Sequence, residues 1–367
     1  MTDPSSPTPP RDTGALDWVL HVDLDQFLVA VEVLRRPELA GLPVVVGGDG
    51  DPMRPRQVAA TASYEARAFG VHSGMPLRAA LRKCPGCVFL PSDRPAYEEA
   101  SAEVMAALRS LPVVVEVWGW DEAFVGLRTA DPEAMAQQIK DTVLARTRLH
   151  CAVGIGQSRL QAKTATGFAK PGGIARLTAA GWLPRMGAEP VTEIWGIGAR
   201  TAARLQDLGI GTVAELAASD HHELARQFGP AIGPNLKLMG MGGHREPLVD
   251  EPHVARSRSQ EQTFEHDLTD PVEIQRHIAR LAREVTAAVV ADDRRITHVS
   301  VKVRTRTFFT RSKIAKLQAI TTDPDVIEAK ALEVLGRFEI TQPIRLLGVR
   351  VVLELPDADA DADADAP

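Results

Sequence analysis

Three carboxylates stand where a folded chain tolerates them only with partners. Asp23 closes the short strand-like run Trp18–Val22, and Asp121 and Glu122 follow the β-branched run Val113–Val117. An acid adjoining a buried strand is costly unless it is paired or binds metal. If the two strands are neighbours in one sheet, the three carboxylates converge at one edge. Such a cluster holds two Mg²⁺ about 4 Å apart, one activating a nucleophile and one neutralising a leaving phosphate. Taken singly, each acid reads better as a solvated residue at a strand end, and the spacing alone is a weak signal.

Cations add to this. Tyr64 and Arg67 lie three apart on an expected helix and share a face. Arg offers a planar fork for phosphate oxygens and Tyr a hydroxyl. Lys170, before Pro171-Gly172-Gly173, is a cation at a helix end. Each alone is an ordinary surface group; with a metal site they suggest a nucleoside triphosphate. Gly196-Ile197-Gly198, followed by Gly209-Ile210-Gly211, has the form of a helix–hairpin–helix between two helices. The backbone N–H groups of such a turn hold a phosphate without reading bases. In the expected strand His298–Thr307, Val299, Val301 and Val303 alternate with Lys302, Arg304 and Arg306. Period two turns the valines inward and the cations to one outer face, a surface that tracks a nucleic-acid backbone. The rival is a solubilising face, but those mix signs.

The elements that must position these residues are legible in outline. Helices are expected at Phe27–Leu34, Ala59–Ala68, Pro76–Lys83, Glu98–Leu108, Pro132–Arg146 and Leu160–Ala169. Strands are expected at Trp18–Val22, Pro43–Val46, Val113–Val117, Ala123–Leu127 and Cys151–Ile155. That order suits an α+β sheet with helices on one face. Residues 178–243 read as short helices separated by glycines, and 244–255 as a linker. A last α+β block has helices at Pro271–Val289 and Asp325–Phe338 and strands at His298–Thr307 and Leu346–Leu355.

Composition is that of an ordinary globular chain, with a net charge of −6. The average hides Arg294–Lys316, which holds eight Lys or Arg and no acid, and an Asp-Ala tail that contributes five negative charges. No apolar run is long enough to span a bilayer, and 1–15 reads as a disordered leader, not a signal peptide. Three cysteines argue for a reducing cytoplasm, and Cys84-x-x-Cys87 reads as a turn, not a zinc site.

In combination these motifs resemble the Y family of translesion DNA polymerases, most closely the bacterial DNA polymerase IV group. They are HVDLDQF at 21–27, ATASYEARAFGVHSGMP at 60–76, DEAF at 121–124, AVGIG at 152–156, AKTATGFAKPGG at 162–173 and WGIGARTAARLQDLGIGTV at 195–213. The resemblance implies a right-hand polymerase with a ferredoxin-like palm (16–26 and 92–177), small fingers (27–91), a helical thumb (178–243) and a little finger (256–355). An acidic disordered tail, 356–367, would follow. It implies Asp23, Asp121 and Glu122 as catalytic metal ligands, with the Leu24 carbonyl added, and two Mg²⁺ that Mn²⁺ replaces. It implies Gln26, Phe27, Leu28, Thr61, Tyr64, Arg67 and Lys170 at the nucleotide, and Gly196, Gly198, Lys302, Arg304 and Arg306 at primer–template DNA. A monomer without proofreading is expected, in the cytoplasm and on the nucleoid.

The chain departs from that pattern in four places. The aromatic pair after the first acid is Phe27-Leu28, as in an actinobacterial branch with an aliphatic residue at the steric gate, so dNTP and also rNTP are expected as substrates. Gly119-Trp120 precedes Asp121, Ser158-Arg159 replaces Asn-Lys, and the tail lacks a sliding-clamp peptide, so clamp binding through the C-terminus is not expected. The rivals are a catalytically silent DNA-binding scaffold, which the acid trio opposes, and a nucleotidyl cyclase, which needs neither hairpin nor basic strand.

Overall fold

The structure, a computed structural model, describes residues 16–243, 248–250 and 254–355. The expected leader, the acidic tail and most of the expected linker lie outside the described residues. Of the described residues, 16–51, 58–75, 79–243 and 248–250 make one compact unit, and 52–57, 76–78 and 254–355 a second.

A five-stranded sheet, β5-β6-β1-β7-β8, organises the first unit. β1 (Trp18–Leu24) is central, antiparallel to β6 (Glu122–Leu127) on one side and to β7 (Cys151–Gly156) on the other. β5 (Val114–Val117) pairs antiparallel with β6, and β8 (Ile174–Arg176) runs parallel to β7. Alternation along β1 sends Leu20, Val22 and Leu24 into a core shared with α4 (Arg94–Arg109) and α5 (Pro132–Thr147). Both helices start the same way: Asp93 and Asp131 accept from the N–H groups of Ala96 and Ala134, with a proline in the first turn. Each such cap is worth about 1 kcal/mol. Helices do not keep to one face, as the sequence had suggested. α6 (Arg159–Ala169) crosses the opposite face of β1 and β7, where His21 and Asp23 point, because Gly154 and Gly156 leave room for its backbone.

Residues 59–68 are not one helix. β3 (Thr61–Ala62) pairs with β2 (Val44–Val46), and α2 (Tyr64–Ala68) starts only after Ser63, whose hydroxyl accepts from Ala66 N–H. β4 (Val88–Leu90) completes this small sheet. β3, β4 and β8 escape a periodicity argument because two or three residues have no period. α1 (Phe27–Arg35) joins the first core through Phe27, Val29 and Val31; α3 (Leu77–Lys83) follows later in the chain.

Helices α7 (Ala179–Met186), α8 (Ala199–Gln206), α9 (Val213–Ala218), α10 (His221–Phe228) and α11 (Ile232–Gly240) close on their own core. Buried Trp182 anchors it, its indole N–H donating to the Gly240 carbonyl at 2.8 Å. Part of the expected linker is seated, not free. Leu248 is buried against Val114 and Phe124, and Val249 N–H donates to Glu116 at 2.8 Å.

The second unit is a four-stranded antiparallel sheet, β11-β10-β12-β9. β10 (Ile296–Thr305) and β12 (Ile344–Leu353) lie inside; β9 (Ser257–Leu268) and β11 (Thr310–Thr321) are the edges. Helices α12 (Pro271–Ala291) and α13 (Pro324–Leu335) cover the face that Val299, Val301 and Val303 occupy. The two edge strands went unseen in the sequence because charged, exposed edges lack the apolar alternation of half-buried strands. No helix among the described residues is long and apolar enough to cross a membrane.

Candidate active site

Strand register brings the acids together. His21 and Asp23, two apart, share a face of β1, and pairing with β6 sets Glu122 directly opposite Asp23. Leu24 N–H donates to the Asp121 carbonyl at 2.8 Å, fixing the turn that carries Asp121. Asp23 therefore lies within β1, not past its end.

Two lysines of α6 meet these acids. Lys163 pairs with Glu122, and Lys170 Nζ lies 2.6 Å from Asp23 Oδ1. The second contact is an ion pair off the direction of a hydrogen bond, so the buried Asp23 Oδ1 is left without one. His21, 1% exposed, faces Glu122 Oε2 with Nε2 at 3.2 Å and joins Thr166 Oγ1 through Nδ1 at 2.9 Å. Burial alone would raise the Glu122 pKa, but hydrogen bonds from His21 and Lys163 bring it down to about 2. Asp121 moves the other way, pushed up first by partial dehydration and then by the charge of Asp23. Its side chain is exposed by surface area, so solvent screening tempers that rise.

Ligand atoms of His21, Asp23 and Glu122 lie within 4.8 Å of one another, a tighter set than the expected acid trio. The carboxylate oxygens, one of them buried without a hydrogen bond, suit a hard divalent cation. Asp121 stands outside the tight set but is coupled by charge to both other acids.

Of the expected nucleotide residues, Tyr64 is held by Asp25, which is 7% exposed, and Lys170 by Asp23. Tyr64 OH donates to Asp25 Oδ1 at 2.6 Å, and Tyr64 N–H to Gln26 Oε1 at 2.7 Å. Gln26 turns the chain from β1 into α1 through a left-handed conformation, φ 42°. Arg67 and Tyr64 share a face, the guanidinium 5.1 Å from the ring centre, and Arg67 Nε donates to the Ala62 carbonyl at 3.0 Å. Thr61 is buried in β3, Phe27 is buried, and Leu28 is half-buried against the same core.

Elsewhere, Gly196 adopts φ +97°, a left-handed conformation that favours glycine, and Gly198 precedes the first turn of α8. The hairpin's leading arm is only a 3₁₀ turn, Val191–Glu193, not a full helix. In the second unit Lys302 and Arg304 share the outer sheet face with Lys316, which pairs opposite His298, and Arg350, which pairs opposite Ser300. Arg306 lies past the end of β10, and Lys302 reaches over Gly348 to Glu261, so the face is not wholly one sign.

His21, Asp25, Lys163 and Thr166 were not singled out in the sequence. The spacing of Lys163, Thr166 and Lys170 (i, i+3, i+7) marks one stripe of α6, a signal that was present. His21 and Asp25 flank Asp23 at period two.

Comparison with known proteins places this geometry. Residues 22–167 match the impB/mucB/samB family, and 255–360 its C-terminal domain. DNA polymerase IV 2 of Mycobacterium tuberculosis (strain ATCC 25618 / H37Rv) is 52% identical over 344 residues, 93% of this chain and 99% of the relative. DNA polymerase IV of Methanoculleus marisnigri is 39% identical over 345 residues, 91% of this chain and 93% of the relative. A solved Y-family DNA polymerase chimera superposes with a TM-score of 0.79 at 25% identity, covering 91% of this chain and 98% of that one. The chain belongs to the Y family of DNA polymerases. As expected, its fold is α+β, and it is a DNA-directed DNA polymerase of the translesion class. Y-family polymerases use divalent metal ions and bind primer–template DNA and dNTPs. The silent-scaffold reading is not favoured.

Proposed function

We propose that this polymerase adds nucleotides at a site held by Asp23, Asp121 and Glu122, with two Mg²⁺ that Mn²⁺ replaces, and that it admits ribonucleotides. The observation that carries the reading is the β1–β6 register, which sets Glu122 opposite Asp23 with Asp121 at the adjoining turn. Bound there, the ions would lower the pKa of the primer 3′ hydroxyl and neutralise charge on the phosphates. The chain supplies the rest. The three carboxylates hold the ions, with the Leu24 carbonyl as a further ligand. Lys170 and Arg67 meet triphosphate oxygens, and Tyr64, fixed by Asp25, offers its hydroxyl beside them. Gln26, Phe27 and Thr61 complete the nucleotide pocket. Gly196 and Gly198 hold one phosphate of the duplex, and the outer face with Lys302 and Arg304, and Arg306 beyond it, tracks the backbone. On this reading the five-stranded sheet is the palm, 27–91 the fingers, 178–243 the thumb and 256–355 the little finger. The enzyme acts as a monomer on nucleoid DNA in the cytoplasm, without a clamp contact of its own C-terminus.

Leu28 sets sugar choice. A ring at this position excludes a 2′-hydroxyl by bulk, and a leucine removes that penalty without needing any new attraction. The test is primer extension with matched dNTP and rNTP by wild type, Leu28→Phe and Asp23→Ala. Wild type should use both sugars, the Phe variant should favour dNTP, and Asp23→Ala should add neither. Strong wild-type discrimination, or no gain in the Phe variant, refutes the gate; extension by Asp23→Ala refutes the site.

A further inference from the structure

Within the second unit α12 and α13 cover one face of the sheet, and no described helix of that unit covers the other. Strand pairing sets Lys302, Arg304, Lys316 and Arg350 on this open face, and the one acid in their rows, Glu261, is taken by Lys302. Lys316 and Arg350 are exposed and have no hydrogen-bond or ion-pair partner among the described residues. Other cations of the unit are not left so: Arg258, Arg283, Arg295 and Arg337 each pair with an acid. The chain carries a segment of matching charge. Residues 357–366, outside the described residues, read Asp-Ala five times. In an extended chain successive side chains take opposite sides, so strict alternation sets five carboxylates along one edge, about 7 Å apart, and methyl groups along the other. Lys302 and Arg304, two apart on β10, repeat at the same rise. A tail that served only solubility would need the charge but no period.

We propose that residues 357–366 fold back along β10 and occupy this face, their carboxylates meeting Lys316 and Arg350 first and then Lys302 and Arg304, and that duplex DNA must displace them. Reach allows it. β12 ends at Leu353, paired with Ile296, at the end of the sheet where Lys316 stands opposite His298. Arg294 and Arg295 hold Glu354 there. From His298 to Arg304 the strand rises about 20 Å, and residues 357–366 span about 33 Å when extended. Each exposed ion pair is weak and sensitive to salt. A tethered segment, however, is present at an effective concentration of about 1 mM, which weak pairs suffice to hold. The docking stands on charge, period and reach; the competition rests also on the reading of the same face as a DNA surface.

The test compares the full chain, the chain cut after Pro356, and a full-length variant with Asp357, Asp359, Asp361, Asp363 and Asp365 changed to Asn. Each is made with and without Lys302→Gln, Arg304→Gln, Lys316→Gln and Arg350→Gln together. First, without DNA, a fluorescein-labelled peptide of residues 357–366 is titrated with the cut chain at low salt. It should bind with a Kd of about 0.1 mM and lose that binding when the four cations are Gln. Second, duplex affinity is read by fluorescence anisotropy. Cutting the tail should raise it about tenfold at low salt, the ratio of the effective concentration to that Kd, and the five Asp→Asn changes should do the same. With the four cations changed to Gln the gain should vanish, because nothing is left to mask. Equal gains with and without the four cations would mean that the tail only repels DNA from a distance, and would overturn the proposal, as would a peptide that the cut chain does not bind. Peptide binding through the four cations with no gain in duplex affinity would keep the docking and refute the DNA reading of this face.

Discussion

Gly154→Ala should disable catalysis while leaving the protein folded. Gly154 lies on β7 opposite His21, and a Cβ there would sit 2.0 Å from the Ala162 carbonyl oxygen and 2.4 Å from Thr166 N. Both atoms belong to the backbone of α6, so no side chain can swing aside. Ordinary contact begins near 3.4 Å, and 3.4 − 2.0 = 1.4 Å is the retreat that the helix must make. That helix carries Lys163, Thr166 and Lys170. A retreat of that size takes Lys170 from 2.6 Å to about 4 Å from Asp23, and loosens Lys163 from Glu122 in step. Misplacing a catalytic group by about 1 Å costs on the order of 100-fold in rate. Overpacking itself costs about 1–3 kcal/mol, which a domain of about 5–15 kcal/mol stability survives. Single-turnover addition of a matched dNTP should therefore fall about 100-fold, with a melting temperature lowered by about 2–12 °C. Gly181→Ala is the control: in α7 its Cβ meets only ordinary contacts at 3.8 Å, and it should gain up to about 1 kcal/mol with unchanged rate. A Gly154→Ala enzyme working at the wild-type rate would refute the claim that this glycine seats α6 over the acids.

Glu32, 2% exposed, accepts from Tyr97 OH at 2.8 Å and pairs with Arg36, tying α1 to α4. Glu32→Ala should cost about 2–3 kcal/mol in thermal or urea unfolding, with Glu32→Gln recovering part; an unchanged melt would count against the lock. Converting Lys302, Arg304, Lys316 and Arg350 to Gln should weaken duplex binding for any sequence. The salt slope should drop by about 0.9 for each phosphate no longer neutralised, read by fluorescence anisotropy from low to moderate salt. Asp23→Asn should abolish addition but keep primer–template affinity within a few-fold, because the grip lies in other residues; a parallel loss of binding in the same assay would contradict that division.

Taken alone, the sequence determined the α+β class, the long helices and the acids. An amphipathic helix or a buried strand writes its period locally, as in Pro132–Arg146 or Val113–Val117. The motifs around Asp23, Tyr64, Asp121 and Lys170 were specific enough together to identify the family. Tertiary structure alone decided which strands are neighbours, and so that Glu122 faces Asp23 across a ladder between residues far apart in the chain. It also decided that α6 crosses the face of the sheet that carries His21 and Asp23, which turned Lys163 and His21 from unremarked residues into partners of Glu122. Pairing between distant strands depends on which faces remain to be buried once local elements exist, and no local window contains that information. For the same reason the edge strands Ser257–Leu268 and Thr310–Thr321 appeared only in three dimensions, since their neighbours, not their own side chains, make them strands.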